Sequence, residues 1–232
     1  MPESISVFGN AVSLYYLFWF IAAVTAVSVN IAFAKYYGYS RYKGATLSVI
    51  ACILGLLVIW IESKIFGGFN FVRGVTFFPL IHGIEAWLYK EPYGKTTDFL
   101  APTGMLCLGV SHFGCMFVGC CQGFPSKWGI YSNVSQTVCF PIQPIEAVVY
   151  IAIAVLMLVM TKKKWQQGKL QFWMMTLFGS TRFFLEFLRD NPKIWGNVSE
   201  LALHALANFV VGVAGLILVT YFDKRRCNNE KN

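Results

Sequence analysis

The chain has 232 residues, of which 56% are hydrophobic, 17% aromatic and only 13% charged. A soluble domain carries about a quarter charged residues, so this composition excludes an ordinary soluble protein and indicates an all-α, polytopic integral membrane protein. The net charge of +8 does not point to nucleic acid, because the lysines and arginines stand in short blocks beside apolar runs, where they set topology and meet anionic lipid.

Crossing a hydrocarbon core takes roughly 20 apolar residues per helix, so the chain accommodates about seven transmembrane helices in a single domain over 1–232. The leading residues carry one acid and no base. A secretory signal has a basic leading region, so the first apolar run, 11–34, is read as a retained span. Lys35, Arg41 and Lys43 follow it, and a second span covers about 45–61.

After Gly67-Gly68 comes a loop with Arg73, and then a short third span, about 75–88, interrupted by Pro79, His82 and Glu85. Polar groups at membrane depth are costly unless they face a bundle interior or a wet cavity, so this helix faces inward. Lys90 to Asp98 read as a polar loop, and a fourth span covers 99–118. The longest loop, Gly119 to Pro141, holds turn formers. The remaining spans run over about 142–161, 170–188 and 201–222.

Basic residues crowd one set of connections: Lys35, Arg41 and Lys43; Lys90 and Lys95; Lys162, Lys163, Lys164 and Lys169; and Lys224, Arg225, Arg226 and Lys231 in the tail. The other side holds chiefly Lys64, Arg73, Lys127, Arg189 and Lys193. By the positive-inside rule the N-terminus is outside and the C-terminus cytoplasmic. The stretch from Gly109 to Glu146 and the end of span six then lie at the outer face.

Arg182, Glu186 and Arg189 share one face of span six, at spacings of four and three. Two arginines around one carboxylate leave a positive excess, and the planar forks of arginine suit a phosphate headgroup. The alternative is an ion network that ties helices together. Glu146 stands at the start of span five, where the helix N-terminus favours a carboxylate, and Gln143 lies one turn before it. His112, toward the outer end of span four, is a candidate general base or phosphate ligand. His82 and Glu85 share a face of span three, while Glu200 and His204 read as a structural pair.

Four of the seven cysteines, Cys115, Cys120, Cys121 and Cys139, fall in the Gly109 to Glu146 stretch. Adjacent Cys120 and Cys121 make an awkward chelate and no histidine in the loop stands at ligand spacing. A structural disulfide or plain packing is expected, with no metal site.

At these residues the chain resembles the prolipoprotein diacylglyceryl transferases of bacterial inner membranes. The resemblance spans almost the whole chain. It includes the Phe8-Gly9-Asn10 approach to span one, a Pro-x-Gln-x-x-Glu element at Pro141 to Glu146, and an Arg-Phe-x-x-Glu-Phe-x-Arg element at Arg182 to Arg189. The Gly-rich signature that ends span four reads Gly-Arg-x-Gly-Asn or Gly-Arg-x-Gly-Cys in the family. Here it is Ser111-His112-Phe113-Gly114-Cys115, with histidine at the arginine position. Phe78 stands at or near the place of the family's histidine in span three, with His82 one turn further on.

The resemblance implies a plasma-membrane enzyme that moves a diacylglyceryl group from phosphatidylglycerol to the lipobox cysteine thiol of a preprolipoprotein, without a cofactor. Arg182 and Arg189 would take the phosphate with Glu186 holding them, Gln143 and Arg73 would complete the lipid site, and His112, Glu146 and His82 would handle the thiol proton. The His112 substitution also leaves open a phospholipid-dependent transferase with another acceptor, or a lipid-binding protein that keeps the fold without the reaction.

Overall fold

A computed structural model describes residues 4–7, 10–67 and 71–229. Phe8 and Gly9, part of the expected approach to the first span, and Lys231 of the tail lie outside them. Eight α-helices account for most of the described chain: α1 (Leu14–Phe33), α2 (Arg41–Phe66), α3 (Phe71–Thr76), α4 (Phe78–Tyr89), α5 (Tyr93–Val118), α6 (Ile142–Lys162), α7 (Leu170–Glu186) and α8 (Glu200–Asn229). Three small antiparallel hairpins sit between or before them: β1 (Ser4–Val7) with β2 (Asn10–Ser13), β3 (Pro125–Ser132) with β4 (Thr137–Cys139), and β5 (Lys193–Trp195) with β6 (Val198–Ser199).

Among the described residues five helices are long and apolar enough to cross a membrane, those over Leu14–Tyr37, Arg41–Phe66, Tyr93–Val118, Ile142–Lys162 and Glu200–Arg225. The protein is a multi-pass, mostly helical membrane protein. The third and sixth expected spans are shorter: α4 has 12 residues and α7 has 17. Pro79 sits in the first turn of α4. With no N–H to give a preceding turn and a fixed φ, it suits a helix start, and the run breaks into α3 and α4 around Phe77. The predicted Lys90 to Asp98 loop is also shorter than expected, because α5 begins at Tyr93 and absorbs most of it.

Helix α5 is the axis of the bundle. Half of its most apolar stretch is buried inside the protein, against 17% for α2, whose Ile53, Leu56, Trp60 and Ile65 face outward as lipid-contacting residues do. The main core joins α5, α6 and α7 through Met105, Leu108, Tyr150, Met157, Met174 and Phe178. Small residues let the backbones close. A methyl at Gly109 would meet Ile151 Cγ1 of α6 at 2.7 Å and Ala147 O at 3.0 Å. One at Gly179 of α7 would meet the Phe209 nitrogen of α8 at 2.4 Å.

Pro102 lies inside α5 and cannot donate to the Asp98 carbonyl one turn earlier. Tyr37 answers that oxygen, its hydroxyl donating at 2.7 Å and also meeting Thr161 Oγ1 at 2.9 Å. The Asp98 carboxylate accepts from the backbone of Gly168 and, at 2.7 Å, from Leu170 N, which caps α7. At the same end Lys43 and Lys95 bracket Glu91 at 2.5 and 3.0 Å and hold its carboxyl below the usual range. Lys169 pairs with Asp223 at 3.0 Å. Lysines of several basic connections thus meet at one end of the bundle.

Candidate active site

Elements from three helices and two loops build a buried ion cluster at the other end. Glu146, in the first turns of α6, is fully buried, and its carboxylate is the hub. Arg182 Nη1 donates to its Oε1 at 2.5 Å, and Arg189 Nε reaches the same oxygen at 3.2 Å. Its Oε2 accepts from Arg189 Nη2 and meets His112 Nε2 of α5 at 3.0 Å. The close α5–α6 approach at Gly109, one turn before His112, is what brings that ring to a residue on the next helix.

Glu186 is the second carboxylate. It pairs with Arg182 one turn earlier at 2.6 Å, as the spacing of four predicts. Its Oε1 accepts from Ser199 Oγ at 2.7 Å and Asn191 Nδ2 at 2.5 Å, partners that a reading of span six alone does not contain. The expected positive excess is therefore absent from this cluster. Two guanidiniums face two carboxylates, because Glu146 arrives from another helix.

Arg189 lies beyond the last turn of α7, and the backbone fixes it. Gly123 pairs with Arg189 in an isolated antiparallel bridge, Phe124 N donates to Leu188 O at 3.2 Å, and Asp190 N donates to Gln122 O at 3.2 Å. Gly123 is small by necessity, since a methyl there would lie 2.5 Å from Phe140 O. The Gly119 to Phe124 loop thus ties the end of α5 to the end of α7.

One side chain at the cluster escaped the sequence reading, and a second was expected only to pack or to form a disulfide. Tyr150, one turn after Glu146, is buried with its ring edge-on to His112, centroids 5.4 Å apart. Its hydroxyl has no hydrogen-bond partner among the described residues. The i to i+4 spacing from Glu146 was the available signal. Cys121 faces the cluster as well: hydrogen bonding from the Cys115 and Cys120 thiols, with Arg189 and His112 nearby, holds its thiol well below the ordinary cysteine range. Of the two expectations for the loop cysteines, a structural disulfide or plain packing, the structure shows no disulfide, for Cys115, Cys120, Cys121 and Cys139 are all free.

The other expected site residues go elsewhere. His82 of α4 meets Gln171 of α7 through Nδ1 at 2.8 Å and lines an apolar cavity of about 320 Å³ among α1, α2, α4 and α5. Glu85, three residues on, is buried, and neither carboxylate oxygen has a partner among the described residues. Arg73 bonds Glu62 at 2.6 Å and Glu200 at 3.0 Å, so it braces α2, α3 and α8 instead of joining the cluster. Glu200 also meets His204 at 3.4 Å, as its spacing predicts. Gln143 Nε2 donates to Cys120 O at 3.0 Å and thereby holds the loop over the start of α6.

The cluster can bind an anion through its arginines and accept a proton at His112. Nε2 is turned to Glu146, and Nδ1 has no partner among the described residues. The "Phosphatidylglycerol--prolipoprotein diacylglyceryl transferase 2" of Clostridium perfringens is 24% identical over 232 residues, covering 88% of this chain and 89% of its own length. The "Phosphatidylglycerol--prolipoprotein diacylglyceryl transferase" of Clostridium tetani is 25% identical over 240 residues, covering 94% of this chain and 96% of its own. The profile of the prolipoprotein diacylglyceryl transferase family matches residues 2–221, and the chain belongs to that family.

Proposed function

We propose that the protein moves a diacylglyceryl group from phosphatidylglycerol, or a related anionic phospholipid, to the lipobox cysteine thiol of a preprolipoprotein. The observation that carries this reading is the convergence of His112, Glu146, Arg182 and Arg189 in one buried cluster at one end of the bundle. In the reaction the cysteine sulfur bonds to the glyceryl carbon, the carbon–oxygen bond to phosphate breaks, and glycerol phosphate leaves. That chemistry asks for a base to make the thiolate and cations to meet the departing phosphate.

His112 suits the base. Glu146 orients the ring through Nε2, which leaves Nδ1 to take the thiol proton. Arg182 and Arg189 suit the phosphate, with Glu186, steadied by Ser199 and Asn191, aiming Arg182. Glu146 serves these groups as shared counter-ion. Gln143 acts at one remove, through the loop it holds.

On this proposal the bundle makes seven crossings of a bacterial plasma membrane, with the N-terminus outside, the C-terminus cytoplasmic and the site open to the outer leaflet. The meeting of Lys43, Lys95 and Lys169 at the end opposite the cluster supports that orientation. Helix α7 would rise about 26 Å, close to the hydrocarbon thickness.

The test is a reconstituted assay. Purified protein in phosphatidylglycerol vesicles, given a lipobox peptide, should add a diacylglyceryl group to the cysteine and release glycerol phosphate, both read by mass spectrometry. His112→Ala should lower the rate about 10²- to 10⁴-fold. An unmodified peptide, under conditions where the Clostridium perfringens relative lipidates it, overturns the reading.

A further inference from the structure

Three sulfurs meet beside the ion cluster. Cys115 occupies the last turn of α5, Gly119 ends the helix in the left-handed conformation with φ +80°, and Cys120 and Cys121 follow. The Sγ atoms of Cys115, Cys120 and Cys121 all lie within 4.8 Å of one another, and none is in a disulfide. Zinc holds thiolate sulfur at about 2.3 Å, which sets tetrahedral sulfurs about 3.8 Å apart. Closing onto one ion asks for only a small contraction.

A disulfide would use two of these sulfurs and leave the third without purpose. The third is brought in at a cost, since Cys121 has φ +58°, and a residue with a Cβ pays roughly 1–2 kcal/mol for that backbone. Threefold convergence has a use in metal binding. Cys139, the remaining thiol of the loop, stands outside the group and meets Ser135 and Thr137 hydroxyls at 3.5 Å.

We propose that Cys115, Cys120 and Cys121 form a trithiolate site for a soft divalent cation of the zinc class, with the fourth position filled by water or an added ligand. Protons still held by the thiols pass to solvent as the ion binds. Three thiolates and a divalent ion carry one net negative charge, and Arg189, within hydrogen-bonding reach of Cys121, faces it. Cys115 is buried while Cys121 is exposed, so the ion has a route in from the surface. Once bound, it braces the turn whose next residues, Gln122 and Gly123, hold the Arg189 backbone.

Cobalt(II) titration of the reduced, chelator-stripped full chain in detergent tests this. The expected result is sulfur-to-cobalt charge-transfer absorption with tetrahedral d–d bands, saturating at one equivalent and displaced by zinc. The bands should vanish in the Cys120→Ser, Cys121→Ser double variant and persist in Cys52→Ser, Cys107→Ser and Cys139→Ser. Circular dichroism establishes that each variant keeps its helices, and zinc should protect Cys120 and Cys121 from alkylation in the unaltered chain. No charge-transfer absorption from a chain with free thiols, bands that survive the double substitution, or a disulfide among the three in protein isolated without oxygen would each overturn the site.

Discussion

Replacing Glu146 by glutamine leaves Arg182 and Arg189 buried opposite a neutral amide. Breaking a buried pair from one side costs about 3–5 kcal/mol, and here two guanidiniums lose a partner at once. Glu146→Gln should therefore lower the thermal midpoint sharply and abolish turnover, whereas Glu62→Gln should lower the midpoint less and spare turnover, because Arg73 keeps Glu200. A Glu146→Gln protein as stable as the parent would show that the cluster is not held by this carboxylate. Helical spacing made the Arg182–Glu186 pair legible in the sequence. It gave no warning that Glu146 would neutralise the arginines, because that contact joins residues 36 and 43 positions apart. Nor could spacing separate His82 and Arg73 from the site, since their partners Gln171 and Glu200 come from distant helices.

Helix boundaries were legible at Lys162, where the apolar run and α6 both end, but not at Arg41, Glu62 or Lys224, which α2 and α8 carry within their ends. They were not legible at Tyr93 to Asp98, where α5 carries Lys95 and Asp98 in its first turns because Glu91 and the backbone of α7 receive them. Neighbouring elements thus lowered the cost of charge within a helix. Packing between helices gives the next prediction. Gly109→Ala forces α5 and α6 apart, since the added methyl would meet Ile151 and the Ala147 carbonyl. Overpacking of this kind costs about 1–3 kcal/mol, and it separates His112 from Glu146. Activity should fall more than stability does. In α2, Gly55→Ala meets nothing within 4 Å and should stabilise by up to about 1 kcal/mol. Melting curves and the peptide assay on the two variants separate a packing contact from mere helix propensity.

At the scale of the molecule, the bundle is polarised. Lysine and acid pairs gather at one end, while the arginine cluster, the β3–β4 hairpin and the β5–β6 hairpin gather at the other. Charge bias along the chain separates the same two sets of connections, and the proposed topology builds on that bias, because insertion responds to which loops carry lysine and arginine. Reporter fusions should give a cytoplasmic signal after Asp223 and an outer signal within the β3–β4 hairpin. The reverse pair of signals would invert the proposed topology. The three-sulfur group was illegible for a different reason: its meeting depends on the left-handed backbone at Gly119 and Cys121, which no count of cysteines reveals.

The even charge count of the ion cluster has one more consequence. Buried guanidiniums cannot wait for a ligand unpaired, and Glu146 and Glu186 spare them that cost while no anion is present. On the proposed function, a phosphate that takes the Arg189 Nε and Nη2 donors competes with Glu146 for them, and its departure lets the carboxylate return. Glu146 is in this sense a resident rival of the substrate headgroup. It pairs the resting guanidiniums, and on the proposed function it weakens the hold on both the substrate headgroup and the phosphate product by the cost of parting from the arginines.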